Sequence, residues 1–472
     1  MKRKRLLGVA ASLAVASFAA LTFTGCGSST SSTSSTGTTG ANSSAMVVTV
    51  GDAPLNNILS ANVTLSAISL TPSGGGSDVT VLSSARTIEL SSLGAIQEPI
   101  ETENVAAGTY SAVNVTVSSA TVTYVDSMGA VVTGTATINS PNDMVTLNPA
   151  LTVTQGQDVH LSLNFNLAQS FDLTGTTLTF TPSITSAAAS IEQESEAERE
   201  VEVTGSVVSI SPTSITVQSA RTGVQSTFAI NSSTQFSASM SAGSISQGSI
   251  VTVRGTVQTD GSLLATMISA SMNGDAMSSS QGGGSGIVTA VTTDGSGNVT
   301  SFTFVPREDF GDMASTSQLT VALASSTVYG VSEDAVQAGI SATAFTNAEI
   351  FPGQSVAVIG TMGSGGTIAA QEVDLAAESL AGSLGMAPQG AAPTYTFTLQ
   401  LPTESFLTTY DSLSALTSMT SAQTEYEDSL TASGFGSLAA GTNLEVHGYL
   451  LVDSSNNYSL TVTNVSQISS DN

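Results

Sequence analysis

Three blocks of eight residues share one spacing: 248–255 (GSIVTVRG), 353–360 (GQSVAVIG) and 441–448 (GTNLEVHG). In each, two glycines seven apart bracket a stretch in which apolar residues alternate with others. A period of two puts every second side chain on one face, the pattern of a half-buried strand rather than a helix. Each block is followed by a turn and a second strand-like run, at 263–270, 367–375 and 458–468. Each is preceded by a glycine-led run, opening at Gly205, Gly286 and Gly382. A spacing kept three times predicts three copies of one small all-β domain.

The same grammar governs the rest of the chain. Val113-Asn114-Val115-Thr116-Val117 and Ile215-Thr216-Val217 are typical runs, and Gly, Asn, Asp and Pro punctuate them. The fold class expected is therefore all-β, with half-buried antiparallel strands. Boundaries follow from composition and spacing: one β domain over 46–191, an acidic linker over 192–201, a first repeat over 202–273, and a Gly/Ser linker over 274–285. A second repeat covers 286–377 and a third 380–470. The domain reads as a β-sandwich and the repeats as barrels through the resemblances that follow. The second and third copies carry insertions, at 306–351 and 402–438. In the latter, Leu407, Tyr410, Leu413, Leu416 and Met419 stand at roughly helical spacing, which predicts a short helix packed on the barrel.

Two resemblances add to this reading. Asp52-Ala53-Pro54, Ala107-Gly108-Thr109-Tyr110 and 159–167 (VHLSLNFNL) together resemble the bacterial lipoprotein family catalogued as domain of unknown function 4382. Asn164 and Asn166 stand where that family usually carries Asp. The resemblance implies a β-sandwich and no assigned chemistry. The three glycine-bracketed copies resemble the small repeat family catalogued as domain of unknown function 5666, which implies five-stranded OB-like barrels. Closure into barrels would remove exposed sheet edges.

The start of the chain reads as targeting. Lys2, Arg3, Lys4 and Arg5 precede an Ala-rich apolar stretch over 6–23, too weakly hydrophobic for a stable span. The run Leu21-Thr22-Phe23-Thr24-Gly25-Cys26 resembles the lipobox of bacterial lipoproteins, with Phe23 where that family usually has Leu. That resemblance implies a signal peptide over 1–25 and lipid attachment at Cys26, the only cysteine. One cysteine cannot form an intrachain disulfide, so stability must come from burial. Gly27 after the cysteine resembles the outer-membrane-sorted form. Thirteen of the 17 residues over 28–44 are Ser or Thr, so 26–45 reads as a flexible tether. The localisation expected is a lipid-anchored position in the bacterial cell envelope, at the outer membrane.

Without 1–25, Arg86, Arg199, Arg221, Arg254 and Arg307 are the only basic residues, against 36 Asp and Glu. Phosphate neutralisation needs clustered Lys or Arg, so no nucleic acid is expected as a partner. The partners expected are the membrane, through the lipid, and an envelope protein or a neutral glycan, with the oligomeric state open. No lysine means no Walker-type loop, no Gly-x-Ser-x-Gly elbow occurs, and two histidines cannot build a His-rich zinc site. His160 and His447 lie within strand-like runs and read as structural or surface residues. No cofactor is expected. The weak metal candidates are Glu192, Glu194, Glu196 and Glu198, which alternate along the acidic linker and would share one face of a strand.

These readings converge on a non-enzymatic, lipid-anchored envelope protein, a structural or ligand- or partner-binding module drawn out as an acidic stalk. The alternative is an extracytoplasmic carboxylate-dependent polysaccharide hydrolase. Its candidate pairs are Glu404 with Asp411 and Glu425 with Asp428.

Overall fold

The computed structural model describes residues 43–53, 57–93, 96–126, 128–174, 177–237, 240–270, 281–309, 318–403, 405–426, 430–453 and 455–468. The spans read as signal peptide and tether lie outside these residues, Cys26 included, apart from 43–45. The all-β expectation holds: strands dominate, and the helices are single turns or little more.

The N-terminal part is built from facing sheets. In one, Ser43–Ala53 lies between Val159–Asn166, to which it runs parallel, and Glu98–Ala106, with Ile184–Ser190 completing the order. In the other, the long strands Ile58–Pro72 and Gly108–Val125 pair along most of their length. Inward residues of both sheets, among them Met46, Val48, Leu161, Val63 and Val115, share one core. The outward face of the first sheet carries Val47, which packs into the core of the next domain.

Three further sheets follow one strand order. In each, the first strand lies between the second and fourth, and the third meets the fifth in parallel, so that five strands close into a ring. Closure is at Phe228↔Leu263 in the first barrel, Val321↔Ile368 in the second, and Thr417↔Ser459 with Ser383↔Gln400 in the third. The glycine spacing acquires a physical cause here. Gly248, Gly353 and Gly441 all have positive φ, at 86°, 94° and 86°, a region costly for any residue with a Cβ. Each donates its N–H to the first strand, to Val207, Val288 and Leu384. The second glycines sit at a bulge between the fourth and fifth strands. There a Cβ would come within 2.2–2.4 Å of a neighbouring carbonyl oxygen. The opening glycines Gly205, Gly286 and Gly382 face the same restriction against the second strand.

Three expectations are corrected. The β domains are not drawn out: Ala41–Asn472 forms one compact unit. Leu59 and Val125 of the sandwich share a core with the second and third barrels, and Tyr449 of the third packs into the core of the second. The span 192–201 is largely exposed, with Glu192, Glu196, Glu198 and Glu200 open to solvent, but it is not without structure. It folds into short 3-10 turns, Ile191 is buried, and a strand begins at Glu200. The helix in the last insertion is only Phe406–Asp411, ended by Ser412 at φ 55°. Leu416 and Met419 belong instead to the strand Ala415–Tyr426, where alternation resumes and Met419 faces outward. The strand Gln281–Thr293 also begins within the span read as a Gly/Ser linker.

Candidate functional site: a buried ionic junction

The outward faces of the first and fourth barrel strands are polar where the domains meet. Alternation puts Glu202 and Thr204 opposite Arg254 and Thr252 in the first barrel, and Ser379 opposite His447 in the third. Arg254 and His447 occupy the same place in the repeat, immediately before the second glycine. These faces surround a cavity of about 90 Å³, lined also by Arg221, Arg307, Glu308, Asp334 and Tyr449. Three of the five arginines beyond residue 5 thus converge on one place.

Arg221 sits on the turn after Ser214–Ser219, whose Ser219 hydroxyl accepts the Arg221 and Thr222 N–H groups. Its guanidinium meets Glu98 of the sandwich at 3.4 Å and Glu308 of the second barrel at 2.7 Å. It also donates to the Ser92 hydroxyl, and its carbonyl accepts from the Glu89 N–H. One side chain therefore joins three domains. Arg307 joins another three: it donates to Glu378 of the third barrel at 2.9 Å and to the Leu59 and Ile58 carbonyls of the sandwich. Arg254 pairs with Glu202 at 2.8 Å and reaches Glu425 of the third barrel at 3.9 Å. The Arg221 and Arg307 side chains are only 6% exposed, and Glu98 and Glu378 not at all.

Burial sets the protonation states. Desolvation alone would lower the Arg221 pKa, but Glu308 and Glu98 outweigh it and hold the guanidinium above its ordinary value. Glu202 holds Arg254 up likewise. His447 is pushed down to about 4, by burial first and then by the arginines, against an upward pull from Glu202. Its Nδ1 lies 2.8 Å from the Ser379 hydroxyl. Every guanidinium is thus matched by carboxylates, and the imidazole among them is neutral. Such a site ties the domains together.

The acidic candidates from the sequence do not meet. Glu192 accepts from Gln157, Glu194 pairs with His160, and Glu198 accepts from the Ser195 N–H, while Glu196 lies near Glu200. Among the described residues no three His, Cys, Asp or Glu gather in a way that could hold a metal. His160 is buried, with Nε2 2.9 Å from the Thr49 hydroxyl and Nδ1 3.1 Å from Glu194. The order Thr–His–Glu resembles a nucleophile relay, but Thr49 is fully buried. Of the hydrolase pairs, Glu404 and Asp428 lie outside the described residues. Asp411 is half-buried and pushed up to about 6 by burial, and Glu425 turns towards Arg254. Sequence reasoning missed Arg221, Arg254 and Arg307. Their signal was rarity: a chain with so few cations places them where carboxylates must be matched.

Two solved structures similar to the chain are of the single-stranded DNA binding protein from Thermus aquaticus. A deletion mutant is 15% identical, covering 41% of this chain and 95% of that one, with a TM-score of 0.17. The wild-type protein is 14% identical, covering 40% and 90%, with a TM-score of 0.15. These neighbours overturn the partner expectation, in which charge excluded nucleic acid and left an envelope protein or a neutral glycan. Net charge is a sum over the chain, whereas single strands are held by a local groove and aromatic stacking. At such TM-scores the likeness itself carries no argument about what this chain binds. No curated protein matches the chain. The families matched are the two expected from the sequence: residues 43–182 match Domain of unknown function (DUF4382), and residues 204–269 match Domain of unknown function (DUF5666).

Proposed function

We propose that this chain is a non-enzymatic structural protein of the bacterial cell envelope, held at the outer membrane by a lipid on Cys26. The observation that carries the structural reading is the junction. Glu98, Glu202, Glu308 and Glu378 are matched to Arg221, Arg254 and Arg307, so the charges that could have served a reaction instead fasten four β domains into one body. The lipid anchor is supported by the basic start, the apolar stretch and the lone cysteine ahead of a Ser/Thr-rich tether.

Labelling cells with radioactive palmitate tests the anchor. Label should appear on the native chain and vanish with Cys26→Ala, which should leave the membrane fraction; persistent label would refute the attachment. The non-enzymatic reading is tested with a chain carrying Asp411→Asn and Glu425→Gln. In a strain lacking the protein it should restore envelope integrity as fully as the native chain. Failure of that chain, with normal folding and amount, would favour the carboxylate-dependent hydrolase.

A further inference from the structure

His447 is the residue of the junction that gains a positive charge on taking up a proton. It faces charged groups from every domain packed against it. The first barrel presents Glu200, Glu202, Arg221 and Arg254, and the second presents Arg307, Glu308 and Asp334. The sandwich contributes Glu89 and Glu98 behind Arg221, while the third barrel itself supplies Glu378, Glu425, Glu445 and Tyr449. Glu202, the carboxylate that draws a proton towards His447, already holds Arg254 at 2.8 Å, and Glu98, Glu308 and Glu378 hold Arg221 and Arg307. A proton on the imidazole therefore makes a fourth cation among three.

We propose that the junction is a proton-operated latch, in which a proton on His447 creates a charge cut off from water and crowded by Arg221, Arg254 and Arg307, and lets the domains part while each barrel keeps its own core. The sign follows from linkage. The closed junction holds the imidazole near 4, whereas an opened one returns it towards the ordinary 6.5. Closure is thus fully favoured well above pH 6.5 and loses ground as pH falls, by a factor of about 160 in the closed-to-open ratio at pH 4. Glu98 and Glu378 pull the other way, because burial raises their pKa values and the closed state takes up their protons more readily. The latch is consequently read as a difference between the native chain and His447→Gln, which cannot take the charge.

Backbone bonds that cross domains report on opening directly: Glu202 N–H to the Gln97 carbonyl, and Asp309 N–H to the Ala220 carbonyl. Hydrogen exchange of the detergent-solubilised full chain, corrected for intrinsic rates, is followed from pH 7 to pH 4. Protection of these two amides should fall about 100-fold further in the native chain than in His447→Gln, while Val358 and Val373 inside the second barrel stay protected in both. An equal fall in both chains, or loss at Val358 and Val373 together with the junction amides, would overturn the latch. If His447→Gln does not fold, nuclear magnetic resonance of the native imidazole decides. Titration well below the ordinary value, tracking the two amides, supports the latch; an ordinary titration refutes it. None of these readouts depends on the lipid anchor.

Discussion

At Gly255, Gly360 and Gly448 the missing side chain does the work. A Cβ there would lie 2.4, 2.3 and 2.2 Å from the carbonyl oxygens of Leu264, Ala369 and Thr461, all backbone atoms that cannot swing aside. Gly360→Ala should therefore cost about 1–3 kcal/mol, as overpacking in a close-packed interior does. Gly295→Ala, where a Cβ meets nothing within 4 Å, should cost no more than about 0.5 kcal/mol. Denaturant melts of the two variants check the contrast, and equal losses would remove the steric cause. Asp374 raises a different question, one of charge. Burial, and then Glu372 beside it, push its carboxyl up to about 8. A raised folded pKa means that the native chain gains stability as pH falls from about 8 towards the ordinary carboxylate range. Asp374→Asn should melt higher than the native chain at pH 9 and lose that advantage by pH 5. Parallel melting curves across that range would show that the pair does not share a proton.

Among elements, the barrel strands were legible because alternation and glycine spacing act within a few residues. The three GxxxxxxG blocks located the strands Ile250–Val257, Ser355–Met362 and Asn443–Val452, although each strand runs on through its second glycine. The helix was overdrawn because Leu416 and Met419 also fit a strand, and only Ser412, in a left-handed turn, decides between the two. A third recurring position went unread. Thr234, Thr327 and Thr424 each accept an N–H three residues back and donate to Ala265, Ala370 and Val462, at the same bulge that the second glycine creates. Its sequence trace is a short turn ending in Thr, NSST, ASST and SAQT in the three copies, too plain in this chain to stand out. Thr327→Val keeps the shape and removes the hydroxyl, leaving the buried Ala370 carbonyl short of a donor. It should cost about 1–2 kcal/mol, measured by thermal melting, and Thr327→Ser should recover most of it. No recovery with Ser would assign the loss to packing instead.

For the whole molecule, the junction was illegible for a physical reason: it pairs residues more than 50 positions apart, and no local periodicity encodes such a meeting. Glu98 with Arg221 and Arg307 with Glu378 are the instances, and the same blindness turned a compact body into a stalk. If the junction fastens the domains, they should unfold together, and weakening it should separate them. Arg307→Met tests this because methionine fills much of the space but leaves Glu378 buried without its cation and the Leu59 carbonyl without its donor. Breaking one side of a buried pair typically costs about 3–5 kcal/mol. Arg86→Met removes a pair in which Arg86 is 34% exposed, so it should cost at most about 1 kcal/mol. Calorimetry of the native chain and of Arg86→Met should give one transition. Arg307→Met should give two, the earlier belonging to the third barrel, because the loss falls on the contact between domains and not on any barrel's own core. A single transition shifted down as a whole would mean that the apolar contacts through Leu59, Phe351 and Tyr449 suffice to keep the domains together, and that the arginines tune stability without setting cooperativity.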